Sequence, residues 1–235
     1  MKTSSLAAAA TLAAALMAVP GAALAANGPN STANPNGSPV RLAYLKGRGD
    51  AEIQRRLTTL TADAALVSSA THLTSSDQQA LSTLISNDQS GLSALKTKID
   101  NDTSVQVATA DVQSIVTAYR IYVLVDPKIH ETIGADRALA SAALFGPLAA
   151  NLQTRINNGK NVDPAAQQAL NDLNAKVAAA QAAASPVPGQ VLPLDPSGYP
   201  GNKPILQAAR QALETARDDL KAARTDAAKV VAYLH

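Results

Sequence analysis

The polar residues best placed to bind a ligand lie in an apolar segment near the middle of the chain. Arg120 stands between Tyr119 and Tyr122 in the run Tyr-Arg-Ile-Tyr-Val-Leu-Val. A guanidinium beside phenol rings would bind an anion through charge-assisted hydrogen bonds and contacts with the ring faces. The alternative, which we favour from the sequence alone, is that Arg120 points to solvent from the far face of a helix.

A Pro-rich segment, residues 185–204, is the second candidate for binding. It contains six prolines and three glycines. It is long for a connection between helices of a bundle, which usually has ~2–8 residues. Leu194 and Tyr199 would lay this segment along the bundle, near Tyr119 and Tyr122. The segment is interpreted either as a recognition loop or as a rigid spacer inserted at the surface.

Residues for catalysis or metal binding do not occur in recognisable patterns. The three histidines, His72, His130 and His235, belong to no His-Glu-x-x-His or Glu-x-x-His pair, the helical signatures of zinc and di-iron sites. The chain has no cysteine. It also lacks a Gly-x-Ser-x-Gly nucleophile motif and a phosphate-binding loop. We therefore expect no catalytic, cofactor-binding or metal-binding residues, and we expect that the protein is not an enzyme.

Residues 1–25 predict a secretory signal peptide. Lys2 precedes an apolar stretch rich in Ala and Leu, Pro20 and Gly21 end that stretch, and residues 23–25 form a small-x-small cleavage pattern. We expect a secreted protein, either extracellular or associated with the cell envelope, and the absence of cysteine suits that oxidising location. No later apolar run reaches the ~20 residues that span a bilayer, so we expect no stable membrane insertion after cleavage.

Composition and charge narrow the choice of partners. The net charge is +2, and basic residues alternate with acidic ones instead of forming a block, which argues against nucleic-acid binding. Aromatic residues make up 3% of the chain, too few for the stacking platforms that bind sugars or bases. A protein or a cell-wall component is the expected partner, and self-association remains open.

Apolar residues recur with helical periodicity along the rest of the chain, which predicts an all-α fold. We expect an elongated antiparallel helical bundle with coiled-coil packing. Residues 26–47 are interpreted as a disordered linker, 48–125 as a first three-helix segment and 126–235 as a second one. The expected helices cover about 51–71, 77–100, 105–123, 128–156, 164–184 and 205–234.

The connection at Asp126-Pro127 decides between two architectures. The arrangement we expect has the third helix continuing through Pro127 with a kink, so that two three-helix bundles share one long helix. In the alternative, Asp126 caps a new helix with Pro127 in its first turn, and the chain forms one bundle. Gly146-Pro147 should bend or weaken the helix that follows.

The sequence predicts the structural positions of two aspartates. Asp50 completes an Arg-Gly-Asp tripeptide, but we interpret it as the N-cap of the first helix and not as an integrin ligand. Asp88 interrupts the apolar stripe of the second helix, and we expect it at the edge of that stripe, reaching water.

Three segments resemble a group of exported all-helical proteins from actinobacteria and related bacteria. They are Arg48 to Leu57, Ala110 to Tyr122, and Ala135-Asp136-Arg137. The similarity covers about residues 42–160 and includes no catalytic motif. It implies export and a helical fold, and it implies no particular activity.

Two hypotheses for function follow. The first is a secreted, non-enzymatic helical protein that serves as a spacer or interaction module of the bacterial envelope. The second is a ligand-binding or chaperone-like module that uses a groove near Tyr119, Tyr122 and residues 185–204. A compact monomer, in which the chain folds back at Pro127, would favour the second hypothesis.

Overall fold

Helices form nearly all of the structure, which a computed structural model describes over residues 39–159 and 163–234. No strand occurs among these residues, and the predicted all-α fold is confirmed. The predicted signal peptide and residues 26–38 lie outside the described residues. The helices are α1 (Pro39–Ser69), α2 (Ser75–Asn101), α3 (Val105–Thr117), α4 (Val125–Ala143), α5 (Phe145–Asn158), α6 (Pro164–Ala184), α7 (Val187–Val191) and α8 (Lys203–Tyr233).

Short polar side chains cap the N-termini of three of these helices. The Thr74 hydroxyl accepts a hydrogen bond from the Asp77 N–H at 3.1 Å at the start of α2, and the Ser104 hydroxyl caps α3 in the same way. Asp163 caps α6 and Pro164 follows it. Each cap satisfies an N–H that has no partner within its helix. The starts of α3 and α6 therefore agree with the prediction.

The first helix begins earlier than its sequence indicates. α1 starts at Pro39, so residues 39–47 are helical and Asp50 lies inside the helix, where it pairs with Lys96 at 2.9 Å. The added turns are held on α2, because the Lys46 ammonium donates a hydrogen bond of 2.7 Å to the carbonyl of Asp100. A Cβ at Gly49 would lie 3.1 Å from a methyl carbon of Val112, so the glycine lets α1 approach α3.

The break between α3 and α4 falls before Pro127. α3 ends at Thr117, Arg120 takes a left-handed conformation with φ 50°, and a short 3₁₀ turn covers Ile121–Val123. Pro127 lies in the first turn of α4, where its missing N–H costs no hydrogen bond. Pro127 therefore does not kink a continuous helix, in contrast to the arrangement expected from the sequence.

The expected helix over residues 128–156 is divided into two helices near Gly146-Pro147, where we predicted a bend or a weakening. α4 ends at Ala143 and α5 begins at Phe145, which leaves Leu144 between them. Gly146 and Pro147 lie in the first turn of α5. A proline there would clash with the carbonyl one turn earlier if the helix continued, so the predicted weak point is the place where the helix is interrupted.

α4 supplies side chains to all three hydrophobic clusters of the structure. Ile129 and Ile133 join the cluster built on α1, α2 and α3. Ala142 joins the cluster of α5, α6 and α8. Ala135 joins a smaller cluster formed with α7 and the start of α8. Burial of each large aliphatic side chain stabilises the fold by ~1.5–3 kcal/mol. Because α4 contributes to all three clusters, it is the main structural link between the other helices.

The Pro-rich segment is folded against this core. It contains α7 and a 3₁₀ turn at Pro196–Gly198. Val187 and Val191 are fully buried beside Leu206. The Lys128 ammonium donates a hydrogen bond of 2.8 Å to the carbonyl of Leu194. The segment is thus held to α4 and α8 by apolar packing and by a buried lysine.

Among the described residues, none of the helices combines the length and apolar character needed to cross a bilayer.

Candidate functional site

Three of the residues predicted to bind a ligand meet at the start of α4. The Arg120 guanidinium lies over the Tyr199 ring, 4.7 Å from its centroid. Tyr122 and Tyr199 line one cavity of about 330 Å³, together with Pro127, Lys203 and Arg210. Arg120 therefore does not simply point to solvent. It joins the turn before α4 to the segment before α8.

The other two predicted residues lie elsewhere. Tyr119 packs toward α2, where a Cβ on Gly91 would lie only 2.6 Å from its hydroxyl oxygen. Leu194 is part of the cluster beneath α7 and does not line the cavity of Tyr122. Because α3 ends before Tyr119, the two tyrosines are not on one helical face, as a continuous helix would have placed them.

A larger groove of about 490 Å³ runs between α4 and α8. Its floor is apolar, with Ala138 from α4 and Leu213 and Leu220 from α8. Gly134 allows the two helices to approach here, since a Cβ at that position would lie 3.1 Å from a methyl carbon of Leu213. Arg210 lines both this groove and the cavity of Tyr122 and Tyr199.

Basic side chains flank the apolar floor. Arg137 comes from α4, and the others come from α8; Glu214 is the single acidic residue in the lining. Burial of such a groove by a ligand would strengthen each charge interaction because the local dielectric falls. The basic lining residues are Arg137, Arg210, Arg217, Lys221 and Arg224.

Spacing along α8 explains how these cations reach one face. Residues 210, 217, 221 and 224 are separated by seven, four and three positions, which is helical periodicity. Oppositely charged residues also occur along α8. Lys229 pairs with Asp226 at 2.7 Å, whereas the carboxylate within 4.0 Å of Arg217 is that of Asp218, at 3.7 Å.

Glu131 lies behind the groove in a nearly dry environment. It is 4% exposed, and neither carboxylate oxygen accepts a hydrogen bond within the described residues. Burial raises the pKa of Glu131 to about 7, against the opposing effect of Arg210, whose guanidinium lies 3.7 Å away. Arg210 is therefore only loosely held by this partner and remains able to bind a ligand in the groove.

Asp88 of α2 is a second partly buried carboxylate, and it lies near Lys128, the lysine that binds the Pro-rich segment. Asp88 is half-buried, and one of its carboxylate oxygens is buried with no hydrogen bond from a described residue. Burial raises the pKa of Asp88 to about 6, and the charge of Lys128 opposes that shift. Burial also lowers the pKa of Lys128. Asp88 thus differs from the expected water-facing residue, because α2 packs with this side toward Tyr119 and α4.

The first turns of α4 bring together residues that are far apart in the sequence. Asp63 of α1 lies beside Asp126 and His130 of α4, with one potential ligand atom from each within 4.8 Å of the others. Asp126 and His130 are separated by 3.4 Å. Burial, and then the charge of Asp126, raise the pKa of Asp63 to about 6, while His130 lowers it.

Sequence motifs do not reveal this grouping because Asp63 belongs to a different helix. The Asp-x-x-x-His spacing of residues 126 and 130 is the local signal that would have found part of it. The expectation that no residue binds a metal is a prediction that the geometry leaves untested.

Comparison of the chain with protein-family models, with curated proteins and with solved structures gave no match.

Proposed function

We propose that the protein is an exported, non-catalytic binding module that holds an anionic amphiphile in the groove between α4 and α8. The observation that carries this proposal is an apolar floor flanked by five cationic side chains and one acidic one. It corresponds to the second hypothesis from the sequence, with the groove displaced along α8 from the predicted tyrosines. The signal-peptide pattern at residues 1–25 supports export.

The groove has the size and chemistry of a small-molecule site. Its volume of about 490 Å³ lies within the range of ~300–1,000 Å³ that is usual for such sites. Ala138, Leu213 and Leu220 would contact an alkyl chain, and their burial would be favourable at ~25 cal/mol per Å². A phosphate or carboxylate headgroup would accept hydrogen bonds from the flanking guanidinium groups.

The cations of the groove are largely unneutralised. Within the described part of the chain, Arg137, Lys221 and Arg224 have no carboxylate within 4.0 Å, and the partners of Arg210 and Arg217 are 3.7 Å away. Surface pairs at such distances contribute little. The positive charge is therefore left for a ligand. A spacer role would not require a concave apolar surface with this charge.

Nucleic acid is a poorer fit for the same residues. A phosphate backbone is bound by cations without an apolar surface between them. Here Leu213 and Leu220 lie among the cations on the same side of α8. An alkyl chain uses that surface, whereas a polynucleotide backbone leaves it unused.

The direct test is isothermal titration calorimetry with decyl phosphate and with decanol. We expect decyl phosphate to bind and decanol to bind far more weakly. Replacing both Arg217 and Arg224 with Gln should lower the affinity for decyl phosphate by about tenfold or more, since each charged hydrogen bond contributes ~1.5–3 kcal/mol. The control Arg155→Gln removes an exposed charge of α5 outside the groove and should change nothing.

A second variant tests the apolar floor without changing the charge. Ala138→Phe would fill the groove and should abolish binding of decyl phosphate. Ala143→Phe, on an exposed position of the same helix, is its control.

Equal binding of decanol and decyl phosphate would refute the role of the cations. Binding of a single-stranded oligonucleotide with an affinity equal to that of decyl phosphate would reassign the groove to nucleic acid.

A further inference from the structure

A second group of polar residues, nearer the N-terminus of α4 than the groove, has the composition of a metal site. We propose that Asp63, Asp126 and His130 bind a divalent first-row transition-metal ion between α1 and α4. Two carboxylates and one imidazole are a ligand set found in such sites. This site is distinct from the groove and does not depend on the proposed binding of an amphiphile.

The distances between the three side chains suit one ion. Two ligand atoms bound at ~2.1 Å from an ion are at most ~4.2 Å apart. Asp126 and His130 already meet this limit, because Oδ1 and Nε2 are separated by 3.4 Å. All three ligand atoms lie within 4.8 Å of one another. The His130 side chain is 58% exposed, so it has room to adjust its position toward an ion.

Asp63 provides independent support, because its carboxylate is buried without a partner. The residue is 4% exposed, and its Oδ2 atom receives no hydrogen bond from any described residue. Within residues 39–159 and 163–234, no Lys, Arg or His nitrogen lies within 4.0 Å of the Asp63 carboxylate oxygens. A buried carboxylate in this state is costly. A bound cation would satisfy that oxygen and remove the cost.

The nearest cation on α1 is engaged elsewhere. Arg56 lies two helical turns before Asp63, and its guanidinium pairs with Glu52 and lies over the Tyr122 ring, 5.0 Å from the centroid. The charges of Asp63 and Asp126 are thus left for another positive group. With a neutral His130, the three ligands carry a charge of −2, which a divalent ion neutralises.

The donor set determines the class of ion. Ca²⁺ requires six to eight oxygen ligands and Mg²⁺ retains much of its water, so both fit a site with an imidazole poorly. Zn²⁺, Co²⁺ and their neighbours accept mixed nitrogen and oxygen ligands. Three protein ligands leave at least one position for water. The ion would also cross-link α1 to α4.

The test titrates the full chain, first treated with a chelator, with Zn²⁺ and with Co²⁺. We expect one Zn²⁺ per chain by calorimetry and a visible absorption band from bound Co²⁺. His130→Gln should weaken binding about tenfold or more, which corresponds to the loss of one of three ligands. Because His130 is exposed, this variant keeps the fold. His72→Gln, which changes an exposed histidine after α1, is the control and should bind as the wild type does.

Two further measurements make the outcome decisive. Zn²⁺ should raise the melting temperature of the wild type and of His72→Gln but not of His130→Gln or Asp63→Asn, because ligand binding stabilises only the state that holds the site. The proposal is overturned if Zn²⁺ does not bind, or if its affinity is unchanged by His130→Gln. Equal affinity for Ca²⁺ or Mg²⁺ overturns the assignment to a transition metal.

Discussion

The Arg120 guanidinium lies over the ring of Tyr199, 4.7 Å from its centroid. Arg120 holds a left-handed backbone conformation, φ 50°, that few residues other than glycine adopt. Its Nε atom is buried and has no hydrogen-bond partner within the described residues. The ring face is thus the main contact of this cation, and it ties the turn before α4 to the Pro-rich segment.

Loss of the Tyr199 ring should weaken the attachment of the Pro-rich segment to the turn before α4. Tyr199→Leu should lower the free energy of unfolding by ~0.5–1 kcal/mol, the usual contribution of an exposed or partly buried cation–π contact. Tyr199→Phe keeps the ring and should retain most of the stability. Urea denaturation of the three proteins measures the difference. Equal destabilisation by the two substitutions would show that the phenol hydroxyl, and not the ring face, provides the contact.

Gly91 should be intolerant of even a methyl group. It lies within α2, where alanine normally stabilises a helix by up to ~1 kcal/mol relative to glycine. A Cβ here would lie 2.6 Å from the hydroxyl oxygen and 2.9 Å from a ring carbon of Tyr119. Gly91→Ala should therefore destabilise the protein by ~1–3 kcal/mol, the cost of overpacking.

Gly47 provides the matched control. It lies within α1, and a Cβ added there meets no atom within 4 Å. Gly47→Ala should raise the melting temperature, because only the helical preference changes. Thermal denaturation followed by circular dichroism compares both variants. A stabilising Gly91→Ala would contradict the close contact with Tyr119.

Asp88 should make stability depend on pH. Burial raises its pKa to about 6 in the folded protein, above its ordinary value of ~3.9. Between these values the folded state keeps the proton and the unfolded state releases it, so stability falls as pH rises through this window. Asp88→Asn should reduce the loss between pH 4 and pH 7 by ~1–2 kcal/mol after allowance for screening.

A surface aspartate serves as the comparison for this pH effect. Asp218 is 73% exposed on α8, and Asp218→Asn should leave the pH dependence of the unfolding free energy unchanged. Chemical denaturation at a series of pH values provides the measurement. If Asp88→Asn loses as much stability across the window as the wild type does, the raised pKa of this carboxyl is wrong.

Helix periodicity and caps predicted much of this fold. The apolar pattern of α8 and the Asp163-Pro164 start of α6 place both helices within one or two residues of their observed positions. These features are local, because a cap or a heptad is decided by residues near each other in the sequence. The Gly146-Pro147 break is local for the same reason.

Contacts between distant segments account for what the sequence did not predict. α1 extends back to Pro39 and packs on α3 at Gly49, and the break before α4 coincides with a contact between Arg120 and Tyr199. Neither contact is visible in a local pattern. The proximity of Tyr122 and Tyr199 was predicted from the sequence. The grouping of Asp63 with His130 was not predicted, because it depends on how α1 packs against α4.

The position of α4 has a consequence for how the chain acquires its structure over time. During synthesis from the N-terminus, α1 to α3 emerge first, yet their hydrophobic cluster stays open until Ile129 and Ile133 follow. α4 in turn remains uncovered until α7 and α8 have been made, because Ala135 packs against them. We therefore expect the chain to become protease-resistant only when it is nearly complete, which suits a polypeptide that must stay unfolded for the export we propose.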